Sequence, residues 1–213
     1  MRRFLIALAV LVAILLAADF GLRLLTGYWL GRGLQSSLSL SERPSVSLGA
    51  FPFLPELVSG NVSSVTVQAN GPVGEGKLPI HELTLTLQDV SFSPSQLAAG
   101  GSTTIRAGSG DGTAQFTQSD LNAALGASVP ITVRFEGRRL VVRTNQGGQE
   151  FEARPSVSKR RLLLTPVLGS LPELSIELPR IIDGITYREV RIEGDTAMLS
   201  FTLSNVTFEI DRS

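Results

Sequence analysis

The chain has 213 residues, with 19 basic and 19 acidic side chains, and it carries no net charge at neutral pH. This balance argues against a nucleic-acid-binding protein, because such proteins usually carry a basic excess. With 43% hydrophobic and 18% charged residues the chain is expected to fold. The absence of cysteine excludes disulfides and thiolate metal sites, and a single histidine, His81, cannot form a multi-histidine site. We expect no cofactor and no metal.

The N-terminus has the pattern of an export signal or a membrane anchor. Met1-Arg2-Arg3 is basic, and an unbroken apolar run follows it from Phe4 to Ala18. Signal cleavage favours small residues at positions −1 and −3, but Leu15 or Leu16 would occupy position −3. We therefore expect residues 1–25 to form an uncleaved single-pass anchor of the cell membrane. The basic start would face the cytoplasm and the rest would be extracytoplasmic. The alternative is a secreted or periplasmic protein released by cleavage.

Residues 26–43 are predicted to form an amphipathic helix. Tyr28 and Trp29 suit a membrane interface. Gly27 and Gly31 have the Gly-x-x-x-Gly spacing of helix contacts in lipid, which we interpret as a coincidence in a glycine-rich chain. The apolar stripe consists of leucines at every fourth position, Leu30, Leu34 and Leu38. Nearer the N-terminus, the four-residue spacing of Asp19 and Arg23 would allow an ion pair on one helix face.

From Pro44 onward the sequence is typical of antiparallel strands that bury one face. The alternation of apolar and polar residues changes phase after Leu87 and after Leu203, which predicts β-bulges and a bent sheet. We predict an α+β fold in which an N-terminal membrane helix precedes one domain, residues 44–213. In that domain a long, curved antiparallel β-sheet wraps around helices. The clearest alternations are Val65–Ala69, Leu83–Gln88, Ile131–Phe135 and Leu199–Ser204.

Two short helices are predicted within this domain. The first spans Pro55 to Ser59 and ends at Gly60. The second begins after a cap at Thr117 and continues to Leu125, with a stop at Gly126. A third feature, the stretch 108–112 with the sequence Gly-Ser-Gly-Asp-Gly, resembles a phosphate loop but lacks its spacing and lysine. We predict that this stretch forms a hairpin turn.

The residues do not indicate an enzyme. His81 precedes a strand without a serine–acid arrangement beside it, and it is expected at the surface. Glu150 and Glu152 share a strand face, whereas a general acid and base must oppose each other across a cleft. A nucleophile elbow, Gly-x-Ser-x-Gly, is absent from the sequence. An envelope hydrolase is therefore the least favoured of the functions considered.

The segment Pro44 to Val67, with Phe51-Pro52-Phe53-Leu54 at its centre, resembles the start of a known family. This is the bacterial envelope family of the mycobacterial lipomannan elongation factor A, a phospholipid-binding protein. The resemblance extends over most of the remaining chain and includes Leu83–Val90 and Asp120–Leu125. In this chain an additional Ala50 separates the preceding glycine from the phenylalanine–proline motif.

The resemblance implies a tubular lipid-binding-like fold, with an apolar groove for acyl chains. It implies an envelope protein that binds phospholipid or glycolipid, associates with the membrane and assists envelope lipid or lipoglycan metabolism. No residue-level site carries over from the family, so we select candidates from the patterns above. Lipid contacts are predicted for Phe51, Phe53, Leu54, Leu57, Leu83, Leu85, Leu87, Leu121 and Leu125. Headgroup contacts are predicted for Lys159, Arg160 and Arg161.

Two alternatives remain open on the sequence. Phe51, Phe53 and Leu54 could close the core instead of contacting lipid. The basic cluster, residues 159–161, could be a solvated strand end. The whole domain could also be a structural or partner-binding β-rich envelope module that holds no lipid. The sequence leaves the oligomeric state unknown.

Overall fold

The computed structural model describes residues 2–37, 40, 42–49, 52–73, 77–99, 103–126, 131–144, 148–167 and 173–210. The helices are α1 (Arg2–Ser37), α2 (Phe53–Ser59), α3 (Pro94–Ala99) and α4 (Gln118–Leu125). The strands are β1 (Ser45–Leu48), β2 (Asn61–Val73), β3 (Ile80–Ser91), β4 (Thr103–Thr117), β5 (Ile131–Glu136), β6 (Arg139–Thr144), β7 (Glu150–Ser158), β8 (Arg161–Pro166), β9 (Leu174–Glu177), β10 (Ile185–Glu193) and β11 (Thr196–Ile210). The predicted α+β class with large antiparallel sheets is confirmed.

Helix α1 is continuous from Arg2 to Ser37, without a break at the predicted boundary between residues 25 and 26. Its described side chains before Asp19 are exposed, whereas from Asp19 onward one face is buried against the domain. Leu30 and Leu34 of the predicted stripe pack against the core. The third leucine of the stripe, Leu38, and the side chain of Trp29 lie outside the described residues.

The larger sheet has six strands in the order β1-β2-β3-β4-β11-β10, and all of its pairs are antiparallel. One row of partners crosses the whole sheet on its inner face. The row runs through Val46, Val67, Leu85, Gly112, Phe201 and Tyr187. Because the side-chain period of a strand is two, this register places the apolar half of each alternation on the same face. The inner face of the sheet is therefore apolar along this row, apart from the phenol hydroxyl of Tyr187.

A crease crosses this sheet where the alternation changes phase. Asp89 and Asn205 have left-handed backbones, with φ of 53° and 51°, a conformation that Asp and Asn tolerate better than most residues. The strand pairing stays in register on both sides of Asp89, where Gln88 pairs with Ser109 and Val90 with Ala107. The same two residues of β4 pair with Ser204 and Val206 on either side of Asn205. Each phase change therefore arises from one left-handed residue and not from the inserted residue of the predicted β-bulges.

The prediction of a hairpin turn at residues 108–112 is wrong. These residues lie in the middle of β4, between β3 and β11. A Cβ atom on Gly112 would lie 2.6 Å from the ring of Phe201, and one on Gly110 would lie 3.0 Å from Leu87. The glycines are there because large side chains from the neighbouring strands cover this part of β4, not because the chain reverses direction.

The smaller sheet has five strands in the order β5-β6-β7-β8-β9. It contacts the larger sheet through β7 and β10, and the rings of Phe116 and Phe135 meet edge to face at 6.4 Å.

The hydroxyl of Tyr187 donates a hydrogen bond of 2.8 Å to the buried carbonyl of Pro179. Burial raises the pKa of this phenol, and the charge of Arg160 offsets the increase only in part.

Candidate functional site

An apolar groove lies between the second half of α1 and the inner face of the six-stranded sheet. Among the described residues, every side chain that lines it is a hydrocarbon, so the groove offers a ligand no side-chain hydrogen bond or charge. The three central candidates from the sequence, Leu83, Leu85 and Leu87, are part of this lining. The other lining residues are Leu30, Leu34, Val46, Val65, Val67, Ala69, Val90, Ile105, Ile182 and Phe208.

The groove is nearly closed in this structure. Its free volume is about 50 Å³, whereas pockets for drug-sized ligands measure roughly 300–1,000 Å³. The closure is made by α1, whose Leu30 and Leu34 are half-buried against the sheet residues of the lining.

Two glycines allow α1 to lie this close to the sheet. A Cβ on Gly27 would lie 2.8 Å from the carbonyl oxygen of Val46, and one on Gly31 would lie 2.8 Å from that of Pro44. Such distances are too short for a real side chain, so only glycine fits at either position. The Gly-x-x-x-Gly spacing is thus not the coincidence that we inferred, because it forms the seat of α1 on β1.

Asp19 attaches α1 to α2. Its carboxylate accepts a hydrogen bond of 2.7 Å from the backbone N–H of Leu54, in the first turn of α2. The side chain is 3% exposed, and its second carboxylate oxygen has no hydrogen-bond partner. The predicted pair of Asp19 and Arg23 does not form among the described residues, because the carboxylate instead satisfies an otherwise unpaired N–H at a helix start.

The phenylalanine–proline motif divides between core and surface. Phe53 is fully buried in the core, and Leu54 and Leu57 are half-buried, but none of the three lines the groove. Val58 on the same short helix is 75% exposed. Phe51 lies outside the described residues, so its predicted lipid contact has no structural description. For Phe53 the burial favours closure of the core over contact with lipid.

Leu121 and Leu125 lie on α4, which covers the edge of the five-stranded sheet and not the groove. The side-chain amide of Asn122 donates to the carbonyl of Val133 at 2.8 Å and accepts from its N–H at 2.7 Å. The side-chain oxygen of Gln118 accepts from the N–H of Phe135 at 2.8 Å. The structure therefore separates these two leucines from Leu83, Leu85 and Leu87.

His81 is half-exposed, and its Nε2 atom lies 2.9 Å from a carboxylate oxygen of Asp120. The same carboxylate accepts from the N–H of Thr117 at 2.7 Å and from its hydroxyl at 2.5 Å, which closes the capping box of α4. Burial opposes ionisation, but the bonds from Thr117 and His81 outweigh it and hold the pKa of the Asp120 carboxyl below its ordinary value. The N–H of Asp120 in turn donates to the hydroxyl of Thr117 at 3.2 Å, so these bonds make the two residues the cap of α4.

The predicted headgroup cluster lies on the five-stranded sheet. Lys159, Arg160 and Arg161 border an open cleft of about 580 Å³ at the turn between β7 and β8. Arg160 approaches Glu177 to 3.6 Å. None of the three lines the apolar groove, so the structure does not bring the predicted headgroup and acyl-chain contacts together.

The remaining acidic candidates are surface ion pairs. Glu150 and Glu152 are exposed and face Arg134 and Arg139 at 3.9 and 4.0 Å. Exposed pairs of this kind contribute about 0–1 kcal/mol. In the described part of the chain no group of three histidine, aspartate or glutamate residues is placed to hold a metal ion.

Among the residues that the structure describes, one helix segment is long and apolar enough to cross a membrane. It is Val12–Arg32 of α1, with 21 residues and a mean hydropathy of 1.3, and few of its side chains are buried. A signal sequence would have the same properties, so this finding is compatible with a single-pass anchor without establishing one.

The fold defines a class of protein in which a curled antiparallel sheet and a docked helix enclose an apolar groove. A family model described as LmeA-like phospholipid-binding matches residues 17–212. The chain therefore belongs to the LmeA-like phospholipid-binding family, whose description refers to binding and not to catalysis. The match includes the part of α1 that docks on the sheet. The chain matches no curated protein and no solved structure significantly.

Proposed function

We propose that the protein binds a phospholipid or glycolipid and holds an acyl chain in the apolar groove under α1. The observation that carries the proposal is the lining, which consists of hydrocarbon alone among the described residues and follows the inner face of the six-stranded sheet. A site of this kind offers an acyl chain favourable burial and offers a polar ligand no compensation for lost hydration.

Lipid entry is an exchange of hydrocarbon for hydrocarbon. Leu30 and Leu34 leave the groove, and methylenes of the acyl chain replace them against Leu83, Leu85 and Leu87. Each additional methylene that is buried contributes about 0.8 kcal/mol. Because the leucines that leave are also apolar, their displacement is least costly where lipid surrounds α1. This favours action at a membrane surface.

The proposed location is the cell envelope, where the protein would assist lipid or lipoglycan metabolism. The apolar first half of α1 would anchor it, with Arg2 and Arg3 on the cytoplasmic side and the sheets outside. The length and composition of the candidate span support an anchor, and the proposed orientation rests on the two arginines alone. The predicted contact of Lys159, Arg160 and Arg161 with headgroups stays a separate proposal, since their cleft lies on the other sheet.

Native mass spectrometry of the full chain, purified in a detergent without phosphate, tests the proposal. We expect one co-purified or added phospholipid per chain. Ala69→Leu should reduce this binding by filling the groove. Ala153→Leu is the matched control, since Ala153 is equally buried in the other sheet and does not line the groove. A wild-type chain that takes up no phospholipid, or a loss that is equal in both variants, would favour a structural or partner-binding module.

A further inference from the structure

A second cleft lies beside α1, nearer its N-terminus than the part that lines the apolar groove. It is formed by α1 and the edge strand β1, and its volume is about 470 Å³. We name it the arginine cleft, after Arg23 and Arg43. Val46 lines both this cleft and the apolar groove. The cleft and the groove are therefore adjacent at the seam between α1 and β1.

The arginine cleft is positively charged. Arg23 and Arg43 are the charged residues of its lining, which contains no carboxylate among the described residues. Neither arginine forms an ion pair within the described part of the chain, although many other arginines do. Asp19, the nearest acid on α1, bonds to Leu54 instead. Two unneutralised guanidinium groups at one cleft complement a phosphate.

Two contacts restrict the exposed side chain of Arg43. Its guanidinium lies 4.4 Å from the ring centroid of Tyr28, a cation–π distance. Its aliphatic stem passes over Gly31, where a Cβ atom would approach it to 3.4 Å. The same glycine that seats α1 on the sheet thus also makes room for this side chain. The side chain of Arg43 therefore loses less conformational entropy when it binds a ligand at the cleft.

The rest of the arginine cleft is amphipathic. Phe20 and Leu24 form an apolar wall and are 62% and 60% exposed. Both residues lie within the candidate membrane span. Ser45 and Ser47 provide hydroxyl groups on the opposite wall. A charged end beside hydrocarbon that leads toward the membrane fits a phospholipid better than a soluble anion.

We propose that the arginine cleft binds the headgroup phosphate of the phospholipid whose acyl chain enters the apolar groove across the seam at Val46. The inference rests on the proposed function and adds the position of the headgroup. It places the phosphate at α1 and β1, not at Lys159, Arg160 and Arg161.

The test compares dipalmitoylphosphatidylglycerol with dipalmitoylglycerol, which has the same acyl chains without phosphate. Binding to the full chain in dodecyl maltoside is measured by displacement of a fluorescent fatty acid. The wild type should bind the phospholipid about tenfold more tightly than the diacylglycerol. Arg23→Gln with Arg43→Gln should remove this preference and leave diacylglycerol binding unchanged. Retained diacylglycerol binding also shows that the double variant is folded.

The control pair, Arg138→Gln with Arg154→Gln, removes two exposed charges from the five-stranded sheet and should keep the preference. Lys159→Gln with Arg161→Gln should keep it as well. Loss of the preference in this last pair, and not in the arginine-cleft pair, would overturn the assignment.

The outcomes separate the two proposals. If the wild type binds neither lipid, the proposed function fails. If it binds both lipids equally well, only the arginine cleft fails. A large excess of inorganic phosphate should not displace phosphatidylglycerol, because the acyl chain contributes most of the affinity. Displacement by inorganic phosphate would assign the cleft to soluble phosphates and contradict a lipid site.

Discussion

Each sheet has an edge strand that a helix covers, and the two covers differ. Helix α4 covers β5 with directional bonds, in which the amide of Asn122 pairs with both backbone groups of Val133. Helix α1 lies along β1, where Gly27 brings it against the carbonyl of Val46. Nearer the N-terminus of α1, Asp19 accepts a hydrogen bond from the backbone N–H of Leu54.

This difference indicates which of the two helices can move away from its sheet. Hydrogen bonds to a strand fix a helix within a few tenths of an ångström and a narrow range of angles, whereas apolar packing is non-directional. Under the hydrogen-bonded cover, Val133, Leu140 and Val142 are fully buried. The sheet under the glycine-seated cover retains the groove. We infer that α4 is the fixed cover and α1 the movable one.

The largest expected effect concerns the support of the movable cover. Phe53 is the fully buried first residue of α2, the helix to which Asp19 attaches α1. Phe53→Ala should lower the free energy of unfolding by about 3–5 kcal/mol. Val58→Ala, at a 75% exposed position on the same helix, should change it by less than about 0.5 kcal/mol. Denaturant melts compare the two, and similar effects would show that Phe53 does not close the core.

A smaller loss is expected at the fixed cover. Asn122→Leu leaves the N–H and the carbonyl of Val133 without their side-chain partners. We expect a loss of about 2 kcal/mol, as for unsatisfied backbone groups that are partly buried. Phospholipid binding to the folded variant should be unchanged. A loss of lipid binding at wild-type stability would mean that α4, too, controls the groove.

The movable cover should respond differently to a small change. Gly31→Ala introduces a Cβ at 2.8 Å from the carbonyl of Pro44. Overpacking costs about 1–3 kcal/mol, and the better helix propensity of alanine returns about 1 kcal/mol, so a net loss of about 1 kcal/mol is expected. Lipid uptake should become faster, because α1 is displaced from its seat. Stopped-flow uptake of a fluorescent phospholipid measures this rate.

Gly21→Ala is the matched control on the same helix, since a Cβ there meets nothing within 4 Å. It should stabilise the protein slightly and leave the uptake rate unchanged. Equal uptake rates in the two glycine variants would contradict the view that the seat of α1 restricts entry to the groove.

The smallest effect depends on pH. The pKa of the Asp120 carboxyl is lowered in the folded protein, so its contribution is present above the ordinary pKa of 3.8 and is lost as the pH falls through the folded value. Asp120→Asn should cost about 1 kcal/mol near neutral pH, as for the loss of a helix cap. The difference from the wild type should shrink in melts below about pH 4. A difference that is constant over this range would show that the carboxylate charge does not strengthen the cap.

Local signals in the sequence predicted much of the fold. The stop at Gly60 and the capping box at Thr117 are confirmed, because a cap depends on a few neighbouring residues. The alternation around Leu85 correctly placed the inner face of the sheet, since the period of a strand fixes its faces. The phase changes were also real, although a left-handed Asp89 causes one of them.

What the sequence could not predict depends on contacts between distant segments. Gly112 lies inside a strand because Phe201, far along the chain, covers it. Leu121 has the same apolar character as Leu85 but lies at the other sheet, which only the topology decides. Gly27 and Gly31 carried a usable signal in their spacing, but their partner is a strand edge and not a second helix.

The central claim is that an acyl chain lies under α1 against the six-stranded sheet. The most direct test adds a phospholipid with a nitroxide on its acyl chain to the full, isotopically methyl-labelled protein. Paramagnetic broadening of the leucine methyl signals is then measured. The account predicts strong broadening for Leu83, Leu85 and Leu87, which line the groove, and little for the buried leucines of the other sheet, Leu140, Leu162 and Leu164. Broadening confined to the second set, or equal in both, would contradict it.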